Sequence, residues 1–195
     1  MSPVQTLPEL EKHVLRTLLY FDIFNYPLKP EEVYRFLQSN TVTQEHVEAS
    51  LTNLAEQKIV FRSGQLYCLR NEPRLFERRK LGNENASKLL PLAMRRASLI
   101  SRFPFVRAVF ASGSFSKDYM DENSDLDFFI VTAPGRLWIP RTLLVLFKRI
   151  AFLNSHKFFC INYFVDEDHL AIEEANLFTA TELATLVPLY NPATY

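Results

Sequence analysis

Glycine is scarce in this chain, at four of 195 residues, whereas phenylalanine occurs 17 times. Few loops and a well-filled apolar core are therefore expected. Cysteine is nearly absent too. Cys68 and Cys160 lie far apart in apolar, strand-like runs. At most one disulfide is possible, and two buried thiols of an intracellular protein are the expected state. Net charge is lacking altogether, because 22 basic residues offset 22 acidic ones. This excludes a general attraction to nucleic acid or to an anionic membrane, and leaves polyanion binding to local patches. No uninterrupted apolar run reaches the ~20 residues of a membrane span. The opening MSPVQTLPELEK has no apolar core for a signal peptide, so a cytoplasmic location is expected. No internal repeat or low-complexity tract is visible. Apolar content of 48% and charged content of 23% suit a globular chain of one domain or two small ones.

Residues 1–8 carry two prolines and read as an irregular lead-in. Leu10, Val14, Leu15, Leu18 and Leu19 then recur at helical spacing, and this helix should stop near Phe24-Asn25. Lys29-Pro30-Glu31-Glu32 reads as a second helix start, with proline and acids in the first turn. A third helix opens near Thr43. Its capping box lacks the acid, because the third residue on is His46; Thr41 with Gln44 would supply an alternative box. Ile59 to Arg62 and Gln65 to Leu69, joined by Ser63-Gly64, read as a β-hairpin. Three helices and a hairpin resemble a winged helix-turn-helix module. Such modules often read DNA through the third helix. Here that helix holds Glu45, Glu48 and Glu56 and no lysine or arginine, a face that repels phosphates. A protein-binding or domain-packing role is favoured over DNA binding.

From about Arg74 to Ser101 a long, mostly helical stretch carries Arg74, Arg78, Arg79, Lys80, Lys88, Arg95 and Arg96, with Arg102 just beyond. Gly82-Asn83 is a candidate break and Pro91 a candidate kink. The basic run could guide a polyanion, but an ordinary solvated face is the favoured reading.

The stretch with the most chemical content is VFASGSFSKDYMDENSDLDFFIVT, Val109 to Thr132. It reads as strand, glycine turn, short helix over 114–119, and a second strand from Asp125 to Val131. Gly113 allows a ligand close to the main chain. A helix start at Ser114 offers N–H groups to a phosphate. Ser114 and Ser116 can donate to phosphate oxygens, and Lys117 can add a charge or be a plain surface lysine. Asp125 and Asp127 share one face of a strand, with Leu126, Phe128 and Ile130 on the other. Two such carboxylates repel unless a cation sits between them. Oxygen ligands suit Mg²⁺ (or Mn²⁺), completed by substrate phosphates. Asp118, Asp121 and Glu122 read as turn acids.

Gly113-Ser114, ten intervening residues, then Asp125-Leu126-Asp127-Phe128 resemble the signature of the DNA-polymerase-β-type nucleotidyltransferases. The resemblance extends over roughly residues 105–172. It implies a small mixed-sheet α/β (α+β) fold, an NTP such as ATP as substrate, phosphates held at Gly113 and Ser114, and metals held by Asp125 and Asp127. It also implies a third carboxylate on a later strand. In Lys157 to Val165 the best-matching polar position is Asn162, which brings no charge and cannot act as a base. Three options stay open. Asp166 or Asp168 substitutes, the two aspartates suffice, or the site binds nucleotide without turnover. His169 nearby reads as structural or solvated.

Pro134-Gly135 marks a turn before a helix from Arg136 to Leu153 that packs on a sheet, with Trp138 in core or interface packing. Leu170-Ala171-Ile172 reads as a short strand and Phe178 to Leu186 as a final helix with a threonine cap. The organisation expected is a winged-helix-like domain (1–72), a basic connecting helix (73–102) and a nucleotidyltransferase-like domain (103–195). The expected activity is nucleotidyl transfer to a hydroxyl of an acceptor the sequence does not name. The alternative is a nucleotide-binding sensor or adaptor. Oligomeric state and the favoured base are not legible.

Overall fold

The structure, a computed structural model, describes residues 8–37, 42–153, 157–172, 174 and 176–194. The chain divides into two compact units, residues 1–80 and 81–195.

In the first unit, α1 (Glu9–Asp22), α2 (Pro30–Phe36) and α3 (Gln44–Glu56) are followed by β1 (Phe61–Ser63) and β2 (Leu66–Cys68). The helical spacing read in the sequence becomes one core, with Val14, Leu18, Val33, Val47, Leu51 and Leu54 all nearly inaccessible. Asn25, at φ 54°, turns the chain out of α1. Thr43 caps α3, and His46 stands where a capping-box acid would be, its Nδ1 3.4 Å from the Thr43 N–H. The alternative box at Thr41 falls outside the described residues. β1 and β2 pair antiparallel, and Leu28 bridges to Tyr67 beside them. Arg79, anticipated as part of a basic surface, is 1% exposed. Its guanidinium sits 2.6 Å from Glu32 and 3.8 Å from the centre of the Tyr26 ring. It is a packing residue, so the basic run is not a continuous polyanion guide.

The helix α4 (Pro73–Ile100) runs 28 residues through Gly82, Asn83 and Pro91 without a break. The anticipated break is absent because the Gly-Asn pair has another use. The missing side chain of Gly82 makes room for the Tyr119 ring. The Gly82 carbonyl accepts from Met120 N–H at 3.0 Å, and the Asn83 amide donates 2.7 Å to the Asp118 carboxylate. The helix thus holds the loop that follows the motif glycine.

The second unit continues with β3 (Val106–Ser112), α5 (Gly113–Ser116), β4 (Asp127–Thr132), α6 (Trp138–Ala151), β5 (Cys160–Asp166), α7 (Leu177–Ala184) and β6 (Val187–Tyr190). A 3₁₀ turn, Pro192–Thr194, follows. The sheet order is β5-β4-β3-β6. β3 is antiparallel to β4 and β6, and β5 is parallel to β4. The mixed α/β architecture with a small mixed sheet is the one expected. Strand alternation divides the side chains cleanly. Val109, Ala111, Leu126, Phe128 and Ile130 join Ala86, Ala93, Ala97 and Ile100 of α4 and Leu144 of α6 in one core. The stretch read as a connecting helix is therefore part of this unit's core. Ala108, Phe110, Phe129, Val131 and Val165 form a second cluster on the other face, with Leu183 and Leu186 against it. Each fully buried Phe or Leu contributes about 1.5–3 kcal/mol. Phe152 and Phe159 stack, Phe147 of α6 meets both rings at steep angles, and Arg96 lies 4.5 Å from the centre of the Phe152 ring. Trp138 is exposed, with Arg141 over its ring at 5.0 Å, and Ile150 is exposed as well.

Further details differ from the sequence reading. Leu170 to Ile172 is irregular rather than a strand, although Ile172 still packs on the second cluster. The fourth strand is instead β6, which contains Pro188. Proline is compatible with a strand only at a sheet edge, where its missing N–H is not required. The final helix is capped by Asn176, whose side chain accepts from Thr179 N–H at 2.8 Å, rather than by a threonine.

The Gly82–Tyr119 contact predicts the sign of a substitution. Gly82→Ala gains about 1 kcal/mol of helix propensity but overpacks a buried ring, which costs about 1–3 kcal/mol. We expect a net loss near 1 kcal/mol by urea unfolding; a raised midpoint would mean that Tyr119 moves aside without cost.

Candidate functional site

The site is built where β3 ends. Gly113 takes φ 64°, in the left-handed region that favours glycine. A Cβ there would strike the Asp127 Oδ2. Only glycine lets that carboxylate lie against the main chain. The cross-strand register brings the two together, because Ser112 pairs with Asp127. The helix expected over 114–119 is a single turn, ended by Asp118 at φ 56°. A turn this short has little macrodipole, so individual N–H groups and Lys117, not a helix dipole, are what the corner offers an anion.

β4 begins at Asp127 rather than at Asp125. Extended pairing still reaches back one residue. Leu126 N–H donates to the Lys157 carbonyl at 2.9 Å, and its own carbonyl accepts from Cys160 N–H at 3.0 Å. Leu126, Phe128 and Ile130 are all inaccessible in the first core. Asp127 therefore faces the other way, with Phe129 and Val131. Burial raises the Asp127 carboxyl above the ordinary range. A hydrogen bond with Cys160 opposes the rise, and the negative charges of Asp125 and Glu182 add to it. The positive charge of Lys117 also opposes the rise.

The remaining motif residues are already engaged. Ser116 Oγ donates to the Gly113 carbonyl at 2.9 Å and lies 3.4 Å from Thr185 Oγ1. Lys117 Nζ donates to the same carbonyl at 3.1 Å. Ser114 is half-buried, and its carbonyl accepts from Lys117 and Tyr119 N–H groups. Ser112, not anticipated, has a buried Oγ with no hydrogen-bond partner among the described residues. Asp121 is a turn acid as read, accepting from Tyr119 Oη, Ser124 Oγ and Asn123 N–H.

The expected third position lies differently. Asn162 is exposed, at a register shift in β5 between the pairs Phe128–Ile161 and Phe129–Tyr163. The residue paired with Asp127 is Cys160. Its thiol is pushed up to about 12 by burial first, then by its hydrogen bond to Asp127 and that residue's charge. It is a protonated donor at neutral pH. Asp166 pairs with Thr132, at the opposite end of β4 from Asp127, and its carboxylate is 2.7 Å from His169 Nδ1. Asp166 is therefore not the substitute acid, and its salt link to His169 holds its carboxyl low.

A different acid reaches the corner. Glu182 of α7 accepts from Gly113 N–H at 3.1 Å and from Lys117 Nζ at 2.6 Å. Sequence reasoning missed it because it stands 69 residues from Gly113 with no spacing motif. The available signal was the apolar Leu183 and Leu186, which dock α7 on the Asp127 face of the sheet.

Among the described residues, no three His, Cys, Asp or Glu side chains form a metal-holding cluster. The donor set nonetheless fits a hard cation that takes part of its shell from substrate. It comprises Asp125, Asp127 with its raised carboxyl, a cradle that a Cβ would fill, and the unpartnered Ser112 hydroxyl.

Residues 95–177 match a family model described as a nucleotidyltransferase domain. That stretch is therefore similar to nucleotidyltransferase domains. No curated protein and no solved structure matches the chain. No helix among the described residues is long and apolar enough to cross a membrane.

The Cys160 environment predicts its reactivity. Iodoacetamide at pH 8 should alkylate Cys160 on the order of 100-fold more slowly than an ordinary thiol, since the low thiolate fraction outweighs the higher nucleophilicity. Asp127→Asn should speed the reaction several-fold. Peptide mass spectrometry separates this site from Cys68; ordinary reactivity in the wild type would refute the hydrogen bond.

Proposed function

We propose that this chain is a Mg²⁺-dependent (or Mn²⁺-dependent) nucleotidyltransferase that moves a nucleotidyl group from an NTP, such as ATP, to a hydroxyl of an acceptor. The observation that carries this reading is the Asp127 carboxylate lying against the Gly113 main chain, beside Asp125, within the stretch that matches the family. Asp125 and Asp127 would hold the cation, which when bound neutralises charge on the phosphates and aligns the attacking and leaving oxygens.

The chain's own residues have distinct tasks. Gly113 brings its N–H to the phosphate oxygens without a side chain in the way. Ser114 and Ser112 add hydroxyl donors, and Lys117 adds a positive charge. Cys160, protonated, donates to Asp127 and fixes the orientation of that carboxylate. The winged-helix-like order of 1–72 is read as a protein-binding module, with DNA binding disfavoured by exposed Glu45, Glu48 and Glu56 on α3. In the proposed division 73–102 is the helix that joins 1–72 to 103–195, with its residues from Ala86 onward packed in the core of the latter, and a cytoplasmic location is proposed with it.

A second reading, a nucleotide-binding sensor or adaptor, is favoured by one observation. The β5 residue beside Asp127 is a protonated thiol rather than a carboxylate, so that position supplies no general base. Incubating the protein with α-labelled ATP, Mg²⁺ and cell extract separates the two, because a sensor leaves no labelled acceptor.

Asp125→Asn combined with Asp127→Asn should abolish Mg²⁺-dependent ATP binding measured by calorimetry while the fold persists. Unchanged binding in the double variant would overturn the assignment of both residues.

A further inference from the structure

The Glu182 carboxylate stands where the proposed reading needs an anion from solution. Its two oxygens accept from Gly113 N–H at 3.1 Å and from Lys117 Nζ at 2.6 Å. These are the donors assigned above to the substrate phosphates. Both partners of the Lys117–Glu182 pair are largely shielded, at 16% and 25% side-chain exposure. This is stronger than a surface ion pair, though short of full burial. Glu182 also lies beyond the stretch that matches the family, which stops at residue 177.

We propose that Glu182 is an internal plug. It occupies the phosphate donors in the resting protein, and a nucleotide binds only by displacing it. The inference rests on the proposed nucleotide site and adds its regulation.

The physical case is competition for one set of donors. A carboxylate carries one charge, shared over two oxygens. A polyphosphate with a divalent cation brings more charge and more acceptors, so it can displace the plug where a single small anion cannot. Displacement also moves Glu182 away from Asp127, whose carboxyl its charge helps to raise. Arrival of cation and polyphosphate and departure of the plug therefore favour one another. The measured affinity is the intrinsic one reduced by the fraction of molecules already unplugged. The swing is local. Glu182 is the only part of α7 that has to move, because Leu183 and Leu186 keep the helix on the sheet.

The rival role for Glu182 is a metal-holding or phosphate-orienting acid, and the two roles predict opposite signs. Calorimetric titration of ATP in excess Mg²⁺ into the wild type, Glu182→Ala, Glu182→Gln and Glu182→Asp decides between them. Glu182→Ala should bind at least tenfold more tightly, the change expected if the plug is seated about nine-tenths of the time. Glu182→Asp keeps the charge but loses the reach to both donors, so it too should bind several-fold more tightly. An Asp variant that binds like the wild type would reduce the effect to overall charge and overturn the plug. Equal or weaker binding by the Ala and Gln variants, with circular dichroism unchanged, would overturn it as well. Adding Asp125→Asn and Asp127→Asn to Glu182→Ala should remove the gained affinity. Loss of ATP binding from every variant would remove the nucleotide site itself, a result distinct from failure of the plug alone.

Discussion

The contact between Asp127 and the backbone of Gly113 is the constraint on which the rest of the site depends. A side chain at 113 and the carboxylate at 127 cannot occupy the same space. The β3–β4 register that pairs Ser112 with Asp127 enforces their meeting. That register is in turn fixed by burial. Sliding β4 by one residue would bring Phe128 and Ile130 out of the first core and put Asp127 into it. The apolar residues of β4 thus position its one acid.

The second consequence of the register is electrostatic. The negative charges of Asp125 and Glu182 act on Asp127, while Lys117 opposes them and pairs with Glu182. Protein groups ease the imbalance only in part. Cys160 gives Asp127 a proton to share, and Gly113 N–H and Lys117 satisfy Glu182. In the proposed reading a cation carrying a polyphosphate would meet the carboxylates and the anion donors of this corner together.

Much of this was legible in the sequence. The alternation Leu126, Asp127, Phe128, Ile130 gave the inward and outward faces of β4, and Gly113 with Ser114 marked the corner, because both patterns are local. The helical spacing of Val14, Leu18, Val47 and Leu51 gave the core of the first unit for the same reason. What could not be read depends on distant pairing. The pairing of β5 with β4 puts Cys160 beside Asp127, and a one-residue register shift leaves Asn162 without a partner on β4. Glu182 arrives from a helix after the motif region. Gly82 and Asn83 look like a helix breaker until Tyr119 and Asp118 fill the space they leave. Pro188 argues against a strand unless that strand is known to be the outermost one.

The two outer strands of the four-stranded sheet are both irregular. β6 carries a proline, and β5 bulges at Asn162. A neighbouring chain that tried to extend the sheet would meet a ring without a donor on one border and a broken ladder on the other. The sheet is thereby self-limiting. The same bulge that leaves Asn162 exposed also interrupts the ladder that an added strand would need.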